Sequence, residues 1–231
     1  GLVRTSETRS TDNRVVETRI FELPSHGSAT VTERSEYFGG STAQHPSYTT
    51  DTNPEDLASL KNYAEREYLS KDVSVEAAPP STAVSTRTFQ MKVKGARRGA
   101  VDTSEAVVAV RPSTFVAPFA DSIAGDAPAG QTEPARELEY LFWEPFTYEW
   151  RYRIQPPRGF VPTALPPSAE RKLGTATLKT DFKVAPDGSI QGTFLLDSGP
   201  PRISAGDFDA TRKALRALKA EDAILIRMKH P

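Results

Sequence analysis

Residues 146–155 read FTYEWRYRIQ, with Phe146, Tyr148, Trp150, Tyr152 and Ile154 at every second position and Thr147, Glu149, Arg151, Arg153 and Gln155 between them. A period of two is that of a β-strand, whose side chains alternate between the two faces of a sheet. A row of rings on one face has two uses. It can be buried, each large side chain then contributing roughly 1.5–3 kcal/mol, or it can lie open as a platform on which sugar rings or bases stack. Cross-strand aromatic packing favours burial, and the row is expected to form core. The same parity reaches back to Tyr140 and Phe142, interrupted by Glu144, while Trp143 has the opposite parity and is the ring expected at the surface. Trp143, Tyr148, Trp150 and Tyr152 are therefore the candidate ligand-binding residues.

Working outward from this strand, most of the chain reads as β. PPRG ends it, because proline offers no donor to a sheet. TATLKTDFKV, the turn APDGS and IQGTFLL (residues 175–196) form a hairpin. On the other side, RVVETRIFEL (14–23), the turn PSHGS (24–28) and ATVTERSEYF (29–38) form another, with Ala29, Val31, Glu33, Ser35 and Tyr37 sharing a face. TRTFQMKVKG (86–95), AVVAVRP (106–112) and AILIRM (223–228) are further strands. Two helices stand out. One, near 54–69, has Asn53 as N-cap, Pro54 in the first turn and Leu57, Leu60, Ala64 and Tyr68 as its apolar stripe. The other, near 205–220, has Ser204 and Asp207 at capping-box spacing and Phe208, Thr211, Leu215 and Leu218 as its inner face.

Residues 113–136 are rich in Pro, Ala, Gly and Asp and read as a long loop or linker, longer than a compact domain usually tolerates. The expected fold class is mainly β (α+β), as two β-sheet or sandwich-like domains, 1–112 and 137–231, each with one packed helix.

Composition limits the chemistry. Lys and Arg number 29 against 30 Asp and Glu, so no global field draws the chain to nucleic acid or anionic lipid, and no nucleic-acid partner is expected. The chain has no cysteine, which removes disulfides, thiolate metal sites and a thiol nucleophile. No apolar run approaches the roughly 18 residues of a membrane span, and GLVRTSETRSTDNR at the start does not resemble an export signal. Gly1 suggests a cleavage scar and hence a fragment of something longer.

The remaining chemical signals are sparse. His26 sits at a turn, His45 precedes Pro46 in a polar loop and His230 is penultimate, none beside an identifiable triad partner. DTNPED (51–56) offers oxygens but lacks calcium-loop spacing, and helix capping explains it. GDAPAG (125–130) lacks the spacing and lysine of a phosphate loop. KVKGARRG (92–99) is a basic cluster read as a solvated hairpin tip. No cofactor or metal is expected. A carboxylate-dependent hydrolase would need two acids in one cleft, and no pair is marked out.

YEWRYRIQPPRGFVPTALPP, GTATLKTDFKVAPDGSIQGTFLL and GDFDATRKALRAL together resemble the C-terminal, β-rich region of bacterial exported transglutaminase-like proteins, which carry an N-terminal domain of unknown function. RIFELPSHGSATVTERSEYFGG and NPEDLASLKNYAEREYL are similar to the segment just after the papain-like core of that family. The resemblance covers most of residues 14–231. The family's catalytic Cys, His and Asp belong to the core, and no catalytic residue carries over to a chain without cysteine. What the resemblance implies is a non-catalytic accessory region in the periplasm or at the cell surface. It would dock on, or present substrate to, its own upstream transglutaminase-like core or an envelope protein. The alternative is a glycan-binding module using the aromatic row.

Overall fold

The structure, a computed structural model, describes residues 8–41, 53–78, 87–126, 136–142 and 144–230. The first half contributes β1 (Arg14–Glu22), β2 (Gly27–Tyr37), α1 (Pro54–Tyr68), β3 (Asp72–Glu76), β4 (Arg87–Val101) and β5 (Glu105–Val110). A 3-10 turn (Pro112–Phe115) and the one-turn α2 (Asp121–Ala124) follow. The second half contributes β6 (Tyr140–Leu141), β7 (Thr147–Gln155), β8 (Val161–Ala164), β9 (Ala169–Leu173), β10 (Ala176–Val184), β11 (Ile190–Asp197), β12 (Arg202–Ile203), α3 (Ala205–Lys219) and β13 (Ile224–Lys229). The fold is mainly β, as the alternation suggests.

Eleven strands form one large curled sheet in the order β8-β13-β5-β4-β2-β1-β7-β11-β10-β9, with β3 also on β4; β6 and β12 pair separately. Neighbours are antiparallel except β1 and β7, which run parallel from Arg14↔Thr147 to Glu22↔Gln155. The strands of the two halves therefore hydrogen-bond to one another, through β1·β7 and again through β5·β13. Two separate sheets, one on each side of 113–136, are not formed. Buried residues from both halves make one continuous core.

The segment 113–136 departs from its reading as a linker. As far as Asp126 it packs inward, with Phe115, Val116, Phe119, Ile123 and Ala124 buried. Five apolar side chains within ten residues outweigh the turn-forming composition around them. Residues 127–135 lie outside the described residues. The basic run KVKGARRG is likewise no hairpin tip. It continues β4, with Gly95 at a positive φ of 64° and the register against β2 shifting around Ala29. The reversal comes later, where Asp102 accepts from the backbone of Ser104 and Glu105.

Both long helices start at the caps their sequences dictate. Asn53 accepts from Asp56 N at 2.9 Å, Ser204 accepts from Asp207 N at 3.2 Å, and Phe208, Thr211, Leu215 and Leu218 are the buried face of α3. Gly174 lies so close under α3 that a Cβ there would clash with Thr211, and its φ of 68° also favours glycine.

Candidate functional site: a charged cavity against the sheet

Strand register assembles the site. Glu33, Arg19 and Tyr152 stand in one row across β2, β1 and β7, and Ser35, Glu17 and Trp150 in the next. Helix α1 covers these rows with Tyr63, Glu67 and Tyr68. Arg19, 2% exposed, is the hub. Its Nε donates to Glu17 Oε1 at 2.5 Å, its Nη1 to Glu67 Oε1 at 2.6 Å and Tyr152 Oη at 3.1 Å, and its Nη2 to Tyr63 Oη at 3.1 Å. The guanidinium also lies 5.5 Å from the ring centre of Tyr68 and 5.7 Å from that of Tyr152. A planar fork with five donors fits such a surround, where a lysine would not.

The carboxylates are equally engaged. Glu17 Oε2 accepts from Tyr148 at 3.0 Å, and Glu67 Oε1 accepts from Thr114 Oγ1 at 2.7 Å as well as from Arg19. Glu33 accepts from Tyr63 at 2.9 Å and from Tyr68, and its Oε2 stands 3.4 Å from Arg19 Nε.

Three acids around one guanidinium would carry an excess of two negative charges if all were ionised, and burying that is costly. Proton retention relieves it. Burial, reinforced by the Glu17 carboxylate, pushes Glu33 up to about 8, against the opposing pull of Arg19 and the two tyrosine hydroxyls. Glu67 goes the other way. Burial alone would raise it, but Arg19 and the Thr114 hydrogen bond hold it below the ordinary carboxylate range. Burial would likewise lower Arg19, yet the Glu17 carboxylate keeps it well above its ordinary value. Burial drives the Tyr63, Tyr68 and Tyr148 hydroxyls upward, so they stay neutral donors.

A cavity of about 490 Å³ opens beside this network. Its inner end is formed by the buried Glu17, Arg19, Glu67, Thr114 and Trp150, and Tyr63 and Tyr148 flank it. Val116, Ala117, Pro118 and Phe119 give it an apolar wall, and Arg66, Arg111, Asp121 and Lys219 stand toward its outer end. A second cavity, of about 210 Å³, also touches Tyr148, Ala117 and Pro118. Both volumes belong to space for a small molecule or part of one, and the larger lies within the usual range of ligand pockets.

Of the three aromatic candidates among the described residues, half-buried Tyr148 and buried Trp150 line the cavity, and Tyr152 does not. The Tyr148 ring stacks on Trp150 at 4.2 Å between centroids. Trp150 and Tyr152 are core residues, 1% and 3% exposed, with Phe115 5.1 Å from Trp150 and Phe194 5.8 Å from Tyr152. Their faces are covered, so an open platform of three rings does not form. Trp143 lies outside the described residues, as does His45. His26 is exposed and His230 sits against Phe160, neither near the cavity lining. Among the described residues, no group of three or more His, Asp and Glu is arranged to hold a metal ion, and no helix is long and apolar enough to cross a membrane.

Sequence reading missed Glu17, Arg19, Glu33 and Glu67. The signal was a charged residue inside an otherwise apolar face: Glu33 between Val31 and Tyr37, and Glu67 beside Ala64 and Tyr68. In comparisons with known proteins, no family model, no curated protein and no solved structure matches this chain significantly.

Proposed function

We propose that this chain is a non-catalytic, β-rich binding module, and that the cavity against β1 and α1 is where it binds. One observation carries the reading: the ionisable groups at the inner end of the cavity, Glu17, Arg19 and Glu67, are held by hydrogen bonds in one set beside open volume. Such a set fixes shape and hydrogen-bonding direction for a ligand. It is poorly suited to proton transfer. A general acid needs a carboxyl that keeps its proton and faces the substrate. Glu33 keeps its proton but is not on the cavity wall, and Glu67 is on the wall but is held ionised by Arg19. The chain also has no thiol nucleophile.

The attachment of this module to a transglutaminase-like core or an envelope protein is supported by the sequence resemblance alone and is proposed on that basis. Two measurements test the function. Peptidase and transamidase assays on this chain are expected to be blank, and turnover abolished by Glu17→Gln or Glu67→Gln would overturn the non-catalytic reading. Ala117→Trp, which puts a large ring into the cavity from an exposed wall position, is expected to abolish small-molecule binding without loss of fold. Retained binding in that variant would move the site elsewhere.

A further inference from the structure

The cations around the cavity are not equivalent. Arg19 is fully engaged by Glu17, Glu67 and three tyrosines. Lys219 Nζ is bonded to Asp126 at 2.9 Å. Arg66 and Arg111, by contrast, have no carboxylate within 4.0 Å among the described residues, although both line the cavity. Neither is loosely held. Arg111 Nη1 donates to the Arg66 carbonyl at 2.6 Å, in the last turn of α1, and the Arg66 guanidinium lies 5.8 Å over the Tyr63 ring. Two guanidinium groups are thus positioned by backbone and ring contacts, with donors left over.

We propose that the outer end of the cavity is an anion subsite, in which Arg66 and Arg111 hold the carboxylate or phosphate group of a small ligand. The proposal rests on the reading of the cavity as a ligand site and adds the class of ligand. Guanidinium forks match both oxyanions through paired, charge-assisted hydrogen bonds. Excess positive charge extends beyond the wall. Burial and the neighbouring Arg111 charge together push Arg98 below its ordinary value, against the weaker pull of Glu67, and Arg98 Nε is buried without a hydrogen-bond partner among the described residues. A bound anion would relieve that excess.

The opposite end of the cavity sets the ligand's direction. Glu17 and Glu67 repel an anion from the inner end, whereas at the outer end Arg66 and Arg111 outnumber the single Asp121 carboxylate, so the charged group stays outside and the far side of the ligand meets carboxylate oxygens. Hydroxyl or ammonium donors suit that end. Between the two, Val116 and Phe119 offer an apolar side for the body of the molecule. A small acid with several hydroxyl groups meets all three conditions.

Glucuronate, glucose 6-phosphate and glucose serve as probes, because the first two carry the anion and the third does not. Each is titrated into the full chain by calorimetry and tryptophan fluorescence. Both anions are expected to bind, with glucose about tenfold weaker or more, as loss of charge-assisted hydrogen bonds implies. Arg66→Gln removes a side chain with no hydrogen bond to the described residues and one ring contact, to Tyr63, and is expected to bring the anions down to the level of glucose while changing thermal stability little. Arg111→Gln should do the same, together with some loss of stability from its bond to α1. Equal binding of glucose and glucuronate, or an Arg66→Gln variant indistinguishable from wild type, overturns the anion subsite while leaving the cavity reading intact. Anion binding that survives Ala117→Trp overturns both, as does failure of all three probes to bind.

Discussion

Tyr148 lies nearly flat on Trp150, with 4.2 Å between ring centroids and 21° between planes, so that a half-buried ring covers one that is almost wholly buried at the inner end of the cavity. The chain has two tryptophans, and Trp143→Phe isolates the second. In that variant the emission of Trp150 is expected to be blue-shifted and resistant to iodide. Strong quenching would mean that the row is open after all.

Arg19 holds together groups from β1, α1 and β7. Arg19→Ala leaves the Glu17 and Glu67 carboxylates buried without their counter-charge, for which a loss of about 3–5 kcal/mol is expected. Urea unfolding measures it. Arg19→Lys should recover little of this, since an ammonium cannot reach Glu17, Glu67 and Tyr63 in one plane.

Glu33 gives the stability a pH dependence of definite sign. Its groups of reference are Glu17 and Arg19 on β1 and Tyr63, Glu67 and Tyr68 on α1. From the ordinary glutamate value of about 4.3 up to about 8, the folded protein holds a proton that the unfolded chain has released. The stability contributed by Glu33 is therefore complete below the ordinary value and is lost as pH rises to about 8. Glu33→Gln, which mimics the protonated form, is expected to flatten the decline between about pH 5 and 8. Glu67 acts in the opposite direction, its contribution falling as pH falls, and that acid limb should persist in the variant. Unfolding midpoints at several pH values distinguish the two.

Leu69 ends α1 in the left-handed region, with φ 58° and ψ 42°, and is the one non-glycine residue there among those described. A side chain in that conformation costs roughly 1–2 kcal/mol. Leu69 is 36% exposed, so glycine forfeits only part of a hydrophobic contact. Leu69→Gly is expected to raise stability by about 1 kcal/mol, read as a higher denaturation midpoint. A lower midpoint would show that the leucine packing outweighs the backbone strain.

Much of this architecture is legible in local pattern. The alternation in β1, β2, β7, β10 and β11, the caps Asn53 and Ser204 and the inner face of α3 all follow from short-range chemistry that the fold does not override. The short strands β3, β8 and β9 have too few alternations to stand out. What local pattern does not carry is pairing between distant strands. Nothing near Arg14 specifies Thr147 as its neighbour, and that register is what brings Glu33, Arg19 and Tyr152 into line. The candidate site was hidden for the same reason. A Glu-x-Arg pair on a strand ordinarily marks a solvated face, and only the arrival of α1 and β7 turns Glu17 and Arg19 into interior groups. Of the rings singled out by periodicity, burial was readable for Trp150 and Tyr152, but the opening beside Tyr148 depends on Val116 to Phe119, in a stretch whose composition suggests a connector.

The strand order β13-β5-β4-β2-β1-β7 has a kinetic corollary. Four strands from the early part of the chain are clasped on both flanks by strands made much later, β7 beside β1 and β13 beside β5. During synthesis these four strands must emerge with both borders bare, and the outer one is closed only when Ile224–Lys229 has left the ribosome. Closure of that border thus waits for β13, made well after the strands it covers, which makes slow folding and a need for protection from self-association in the meantime the expected course for a chain of this topology.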